Sequence, residues 1–324
     1  ERAIKLAPNN IFRSRLLAET ASKYLTFQAN TTQANNAIAA AETALSQIPG
    51  QLRNGKPGPR YQIARSEATV FAVKGEIQSF TSQYDAAAQS ATRAVAAARR
   101  SLELGAQLDE RRTFYARNEL VGALSRQARS HNARGALFDS DQSLKQGLEV
   151  IASGAVSPQV TAGLFNTITN LRIQEGRFRE AEHWSGKSAQ TLIQAGFPAA
   201  APAMLNARGS EQTALAGQGR WNEAWQKFEA VDRDVLNRPE VRQLAINPLT
   251  RALVLLKLQR WAQAETTLTA SWAKQKEYFG AEHFTTALTE GLLAWAQWEN
   301  GKKPEAQAHF DTALPNLMTP QGTS

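Results

Sequence analysis

Four histidines, at positions 131, 183, 283 and 309, are the residues best suited to metal or acid–base chemistry, and no cysteine accompanies them. A zinc site on a helix needs two imidazoles about four residues apart, so that both rings leave one face. No two of these histidines are that close. The carboxylate pairs Asp109/Glu110 and Asp232/Asp234 fall on the polar faces of amphipathic stretches. No Gly-rich phosphate loop and no Gly-x-Ser-x-Gly elbow is present. The expectation is a chain that is not an enzyme, with no metal and no cofactor. Without cysteine, disulfide and thiol chemistry are excluded as well.

Charge is the next feature that could do work. The net charge is +8, but residues 1–100 hold 13 Lys+Arg against 6 Asp+Glu, so nearly all of the excess is local. It begins at Arg53, Lys56, Arg60 and Arg65, and continues through Arg93, Arg99, Arg100, Arg111, Arg112, Arg117, Arg126, Arg129 and Arg134. Nucleic-acid binders interleave such charges with aromatics or glycines, or carry a known module. No such module is present, so the 53–134 surface reads as solvated helix faces, and nucleic acid is the third-ranked ligand class. No stretch reaches 18 consecutive apolar residues, so no membrane span is expected. Hydrophobic residues make up 42% of the chain and are spread along it, which argues for a folded core throughout.

The elements that position these residues follow from an internal repeat. Gly176-Arg177-Phe178-Arg179-Glu180-Ala181-Glu182, Gly219-Arg220-Trp221-Asn222-Glu223-Ala224-Trp225, Gln259-Arg260-Trp261-Ala262-Gln263-Ala264-Glu265 and Gly301-Lys302-Lys303-Pro304-Glu305-Ala306-Gln307 align without gaps. Their spacing is about 40 residues, and each sits between two amphipathic stretches of helical length. Gly at the first position suits a left-handed helix cap. The aromatic two residues on is expected to plug the junction between the two helices of a hairpin, and Ala five residues on lets them approach closely. Phe228, Leu268 and Phe310 follow one turn later, with Ser185 in the first copy.

This pattern resembles the tetratricopeptide repeat (TPR) superfamily, strongly over roughly 157–318 and more weakly at Gln83-Tyr84-Asp85-Ala86-Ala87, Leu137-Phe138-Asp139-Ser140 and Thr32–Ala37. The resemblance implies an all-α fold, a right-handed α-solenoid of antiparallel helix hairpins with about seven TPR-like repeats. Residues 1–152 would form degenerate hairpins and residues 153–324 the regular array, with turns near 176, 219, 259 and 301. Helices are expected near 9–29, 31–48, 61–80, 82–104, 109–131, 136–152, 158–175, 177–195, 199–217, 220–236, 240–258, 260–278, 282–299 and 302–318. Pro248 should kink its helix or mark a later start. Three Pro and three Gly in residues 49–60 predict an exposed, mobile, non-helical loop. The opening Ala3–Asn10 resembles the tail of a repeat's second helix, so the array is expected to have been cut at its front.

A finer resemblance lies at Tyr278-Phe279-Gly280-Ala281-Glu282-His283-Phe284-Thr285-Thr286-Ala287. It is similar to the roughly 42-residue kinesin-light-chain-like repeats found upstream of bacterial CHAT (caspase-like) domains, although Phe284 stands where Pro is usual. That resemblance implies a regulatory or scaffolding arm of a CHAT-type protease protein. The alternative is the TPR sensor region of a bacterial signal-transduction ATPase or transcription regulator.

Either way the partner is expected to be a protein or peptide on the surface lined by each repeat's first helix. Counting back from the turns places Asn166, Asn170 and Gln174 there, then Asn206, then Ile246, Leu249, Leu253 and Leu256, then Trp295 with Trp298 nearby. In this superfamily an inward Asn commonly clamps the backbone of an extended peptide, since its amide both donates and accepts. The Lys and Arg of the carboxylate clamp are missing from the next two repeats, which argues against a chaperone-tail receptor.

Overall fold

The computed structural model describes residues 9–28, 30–238 and 248–318. Fifteen α-helices lie among them. In chain order they are α1 Asn10–Gln28, α2 Thr31–Ser46, α3 Gly50–Arg53, α4 Pro57–Phe80, α5 Tyr84–Ala106, α6 Glu110–Ala133, α7 Leu137–Ala152 and α8 Pro158–Gln174. There follow α9 Phe178–Gln194, α10 Pro202–Gly217, α11 Trp221–Asp234, α12 Pro248–Lys257, α13 Trp261–Phe279, α14 Phe284–Glu299 and α15 Lys303–Met318. Apart from the single-turn α3, six antiparallel hairpins pack within the described residues: α1/α2, α4/α5, α6/α7, α10/α11, α12/α13 and α14/α15. The fold is all-α, with the hairpin packing of TPR solenoids. No described helix is long and apolar enough to cross a membrane.

Six of the turns between consecutive helices pass through one residue in the left-handed region, four of them at glycine: Gly135 at φ 73°, Gly176 at 72°, Gly219 at 74° and Gly301 at 80°. Ser82 at 59° and Gln259 at 58° take the same conformation without being glycine. At all six the following amide donates five residues back, as in Arg177 N to Arg172 O at 2.8 Å and Gln83 N to Gln78 O at 2.8 Å. That bond satisfies a carbonyl the helix end would otherwise leave open. The weak upstream copies therefore use the same turn as the strong ones. Five residues past each turn, Ala87, Ala181, Ala224, Ala264 and Ala306 have no exposed surface, and Ser140 takes that place after Gly135.

The plugging aromatics act elsewhere than expected. Phe178 packs on Gly217, where even a Cβ would collide with its ring. Trp221 joins the cluster containing Val254 and Leu258, and the Trp261 ring lies 6.5 Å from that of Trp295. Each of these contacts is to the next hairpin. The aromatic thus seals one repeat to its neighbour, which is why it stays half-buried on its own helix.

A polar contact repeats beside it. The Glu182 carboxylate accepts from Gln218 Nε2 at 2.8 Å and Arg220 Nη1 at 2.7 Å, which flank the next turn. Glu265 accepts from Asn300 Nδ2 at 2.7 Å and Lys302 Nζ at 2.8 Å in the same way. The Lys302 bond, with Asn300 in support, holds the Glu265 carboxyl below the usual carboxylate range despite partial burial. Between these two repeats the carboxylate is replaced by Trp225, and Arg260 from the next turn lies 4.8 Å over its ring. An ion pair and a cation–π contact serve the same junction.

Two expectations need correction or limits. Residues 49–60 are largely helical: α3 spans Gly50–Arg53, and α4 starts at Pro57. Pro57 and Pro59 sit in the first turn, whose amides have no intrahelical acceptor, so proline costs nothing there. Arg53 ties α3 down, donating to Leu45 O at 2.6 Å and pairing with Glu67 at 3.0 Å. The described part of the 240–258 helix starts at Pro248. Residues 240–247, Ile246 among them, and most of the Ala3–Asn10 segment lie outside the described residues.

The chain divides into two compact units, residues 1–171 and 172–324, with the boundary in the last turn of α8. In unit 1, α1 packs against α4 and α4 against α6, so first helices lie side by side. In unit 2, α10 packs against α12 and α12 against α14 in the same manner.

A left-handed non-glycine residue costs about 1–2 kcal/mol, of which glycine's extra unfolded-state entropy returns part. Gln259→Gly should therefore stabilise the array by about 0.5–1 kcal/mol, and Gly219→Ala should destabilise it by about 1 kcal/mol. Urea unfolding midpoints of both variants check this; movement of both in one direction would refute the shared turn.

Candidate functional site

The first helices of unit 1 enclose a cavity of about 460 Å³. α4 and α6 give its floor of small and apolar residues, Ala68, Ala72, Val73, Gly122 and Ala123. Val160 and Gly163 of α8 and Arg15 and Glu19 of α1 form its flanks. Small residues recur because the helices lie close together and leave room above them. A Cβ on Gly163 would meet nothing within 4 Å.

Charged side chains rim this floor in cross-helix pairs. Arg65 of α4 donates to Glu119 of α6 at 2.7 Å, and Arg126 Nε of α6 donates to Glu76 of α4 at 2.7 Å. Arg15 pairs with Glu19 along α1 at 3.1 Å. Arg129 has weaker partners, Glu76 at 3.9 Å and the Thr167 hydroxyl at 3.5 Å. Its side chain is 52% exposed, yet protein surrounds it, as a position inside a concavity requires. That enclosure, with Arg126 beside it, lowers the Arg129 pKa, and Glu76 opposes the shift only in part. Desolvation and a like charge both disfavour the cation, so an added anion would be stabilised there.

The sequence-derived site residues distribute unevenly. Asn166, half-buried, and Asn170, exposed, sit on α8, the helix that supplies Val160 and Gly163 to the cavity. At helical spacing Gly163, Thr167 and Asn170 share one face. Gln174 is exposed one turn further on and belongs to unit 2. In unit 2, Asn206 is exposed on α10 and Leu253 half-buried on α12, whereas Leu256 is core. Trp295 packs on Trp261, with Lys257 Nζ 5.4 Å from its ring. Trp298 is 42% exposed, and Lys303 covers one face of it. A second cavity, of about 670 Å³, lies in unit 2 against Trp225, Arg251 and Thr267, bounded by Pro248 where the described chain resumes. None of the expected residues lines it.

The cavity of unit 1 was missed because its arginines read as a basic surface. The signal was available: counting ten and six residues back from Gly135 reaches Ser125 and Arg129, and from Ser82 it reaches Ala72 and Glu76. Ala72, Ser125 and Arg129 line the cavity, and Glu76 pairs across it. Most of the other basic residues are engaged too. Arg100 pairs with Glu67, Arg112 with Asp109 and Arg134 with Asp85. Arg93 lies 4.1 Å over Phe71, and Arg99 donates to Gln146.

The histidines have local tasks. His283 caps α14, its Nδ1 accepting from Thr285 N at 3.2 Å, and stacks on Phe279 at 4.7 Å. His309 Nδ1 meets Glu290 at 2.9 Å, and His183 packs edge-on against Trp184. Burial lowers the pKa of His131. Among the described residues no group of three or more His, Cys, Asp or Glu could hold a metal ion.

Residues 244–318 match the tetratricopeptide repeat family. None of the curated proteins matches the chain in sequence. Among solved structures, the apo form of RapI superposes with a TM-score of 0.58 at 13% identity, covering 93% of this chain and 97% of that one. A Rap protein complexed with Competence and Sporulation Factor gives 0.56 at 8% identity, covering 94% and 76%. BtubC (BKLC) from P. vanneervenii gives 0.53 at 13% identity, covering 72% and 93%. Such identities establish a shared all-α hairpin fold, and the tetratricopeptide match itself is confined to residues 244–318.

The two tryptophans make a testable contrast. Trp295→Ala removes a ring packed between repeats and should cost about 3–5 kcal/mol. Trp298→Ala should stay within about 1 kcal/mol, since its ring is largely open. Equal shifts in thermal melting would contradict these placements.

Proposed function

We propose that this chain is a non-catalytic peptide-binding module, the sensing arm of a bacterial signalling regulator, and that the ligand lies extended in the groove of unit 1. The observation that carries the reading is the floor of small residues across α4 and α6, open at Gly163 on the α8 flank and with charged pairs above it. An extended peptide offers main-chain amides and alternating side chains. A low floor admits its backbone, and the rim supplies polar partners. Asn170, on the same face of α8 as Gly163, is placed to bond a peptide amide.

The likeness to a Rap protein complexed with Competence and Sporulation Factor supports this reading at the level of architecture. Regulation of a CHAT-type protease rests on sequence resemblance, at Tyr278–Ala287 and in the run Ala306–Pro315 that resembles the end of such an array. In the first of these, Gly280 at φ 88° ends α13 and His283 caps α14, so local chain geometry accounts for those residue types without an attached protease. Nucleic acid is disfavoured because the arginines of the 53–134 stretch are largely committed to carboxylates and rings. Salt-dependent affinity requires cations free to replace counterions.

Gly163→Leu gives a clean test. Gly163 is helical with open space above it, so replacing glycine should hold or raise the melting temperature while filling the groove. Binding to peptides selected from a random heptapeptide library should fall at least tenfold in Gly163→Leu, and fall in Asn170→Ala with stability unchanged. Retention of full affinity by Gly163→Leu would place the binding face elsewhere.

A further inference from the structure

We infer that the Arg126–Arg129 end of the groove is a carboxylate site, occupied by an internal Asp or Glu side chain of the bound peptide. This rests on the peptide-groove reading and adds the chemistry that would select one peptide over another.

The charge count around the cavity is unequal. Arg15, Arg65, Arg126 and Arg129 face Glu19, Glu76 and Glu119. The Arg15–Glu19 and Arg65–Glu119 pairs are balanced one to one. At the remaining end a single carboxylate oxygen, Glu76 Oε1, serves both guanidinium groups, at 2.7 Å from Arg126 and 3.9 Å from Arg129. One positive charge is left over, on a side chain that is half exposed and lines the cavity.

A guanidinium has five N–H donors in a planar fork that matches a carboxylate. Arg129 spends its visible bonds on Thr167 at 3.5 Å and Glu76 at 3.9 Å, both long for a charged donor. The neighbouring surface leaves it accessible. Gly122 has no side chain to lift the Arg126 guanidinium, since a Cβ there would stand 3.3 Å from Arg126 Nη1, and Gly163 leaves the opposite flank open. A carboxylate entering between these flanks would restore charge balance in a setting where water is partly excluded. Such charge-assisted bonds outweigh neutral ones.

The source of the carboxylate follows from what lies beyond it. Beyond the cavity, Thr167, which accepts from Arg129, and Asn170 lie on the face of α8 that carries Gly163. A peptide that also engages Asn170 must run on past the arginines, so its acidic group there is a side chain within the sequence and not the chain terminus.

The experiment uses the full chain and a random library of heptapeptides acetylated at one end and amidated at the other, so that no terminal carboxylate is present. Selected peptides should carry Asp or Glu at one fixed position. Changing it to Asn or Gln should weaken binding by roughly tenfold or more. Arg129→Gln should erase that discrimination, binding the acid and amide forms alike, with an unchanged melting temperature. Arg129→Glu should redirect selection to Lys or Arg at the same position. Selected peptides that are lost with Gly163→Leu but show no fixed acidic residue would overturn the carboxylate site and leave the groove standing. Discrimination that survives in Arg129→Gln would overturn it too, as would selection only from a parallel library with free C-terminal carboxylates. If neither library yields a peptide, the groove reading falls and this inference with it.

Discussion

At six of its turns the chain reverses within about three residues, through one residue held at positive φ. Everything else in the repeat is measured from that residue. With it fixed, the position five residues on meets the first helix so closely that only Ala or Ser fits, as at Ala181, Ala224 and Ser140. The position six residues on faces the next turn, where Glu182 and Glu265 collect their donors. The position six residues back points across the first helices, where Arg129 and Glu76 stand. A single dihedral constraint thus sets core, junction and groove together.

The junctions show how loosely chemistry is constrained once geometry is fixed. Glu265 with Lys302 and Trp225 with Arg260 occupy equivalent places, one through charge and hydrogen bonds, the other through a ring face. Both bring a cation from the following turn. In an array each repeat contacts chiefly its neighbours, so stability is a sum of such local terms. A junction therefore need only be favourable, not of one fixed kind. That freedom explains why aromatics at turn plus two, Phe178, Trp221 and Trp261, differ in size yet all reach the next hairpin.

This also decides what could be read from the sequence. The regular turns at 176, 219 and 301 were legible because residue type and dihedral demand coincide, and the turn at Gln259 because the residues that follow it match the repeat; helix positions followed from them. Ser82 hid the earliest strong turn, since serine does not advertise positive φ; its partner turn at Gly135 lacked the aromatic. Residues 49–60 misled because proline was weighed as a breaker without asking whether it opened a helix, as Pro57 does. The groove was hidden for a different reason. Its pairs join residues about fifty apart, Arg65 with Glu119 and Glu76 with Arg126, and composition shows only the arginines. Their carboxylates are diluted among neutral helix faces and become visible only once the turn register aligns α4 with α6.

The charged rim is an inefficient way to hold first helices together. Half-exposed ion pairs contribute little net stability, and apolar residues at the same positions would pack the helices as well or better. What a charged rim gives instead is discrimination. A ligand that leaves Arg126 and Arg129 sharing one carboxylate is worse than one that supplies a second, and a ligand that brings a cation is repelled. An apolar groove would accept any sequence with enough surface to bury. On the proposed peptide-groove reading, a rim balanced at Arg15–Glu19 and Arg65–Glu119 and unbalanced at Arg126–Arg129 would turn a general surface into a selective one.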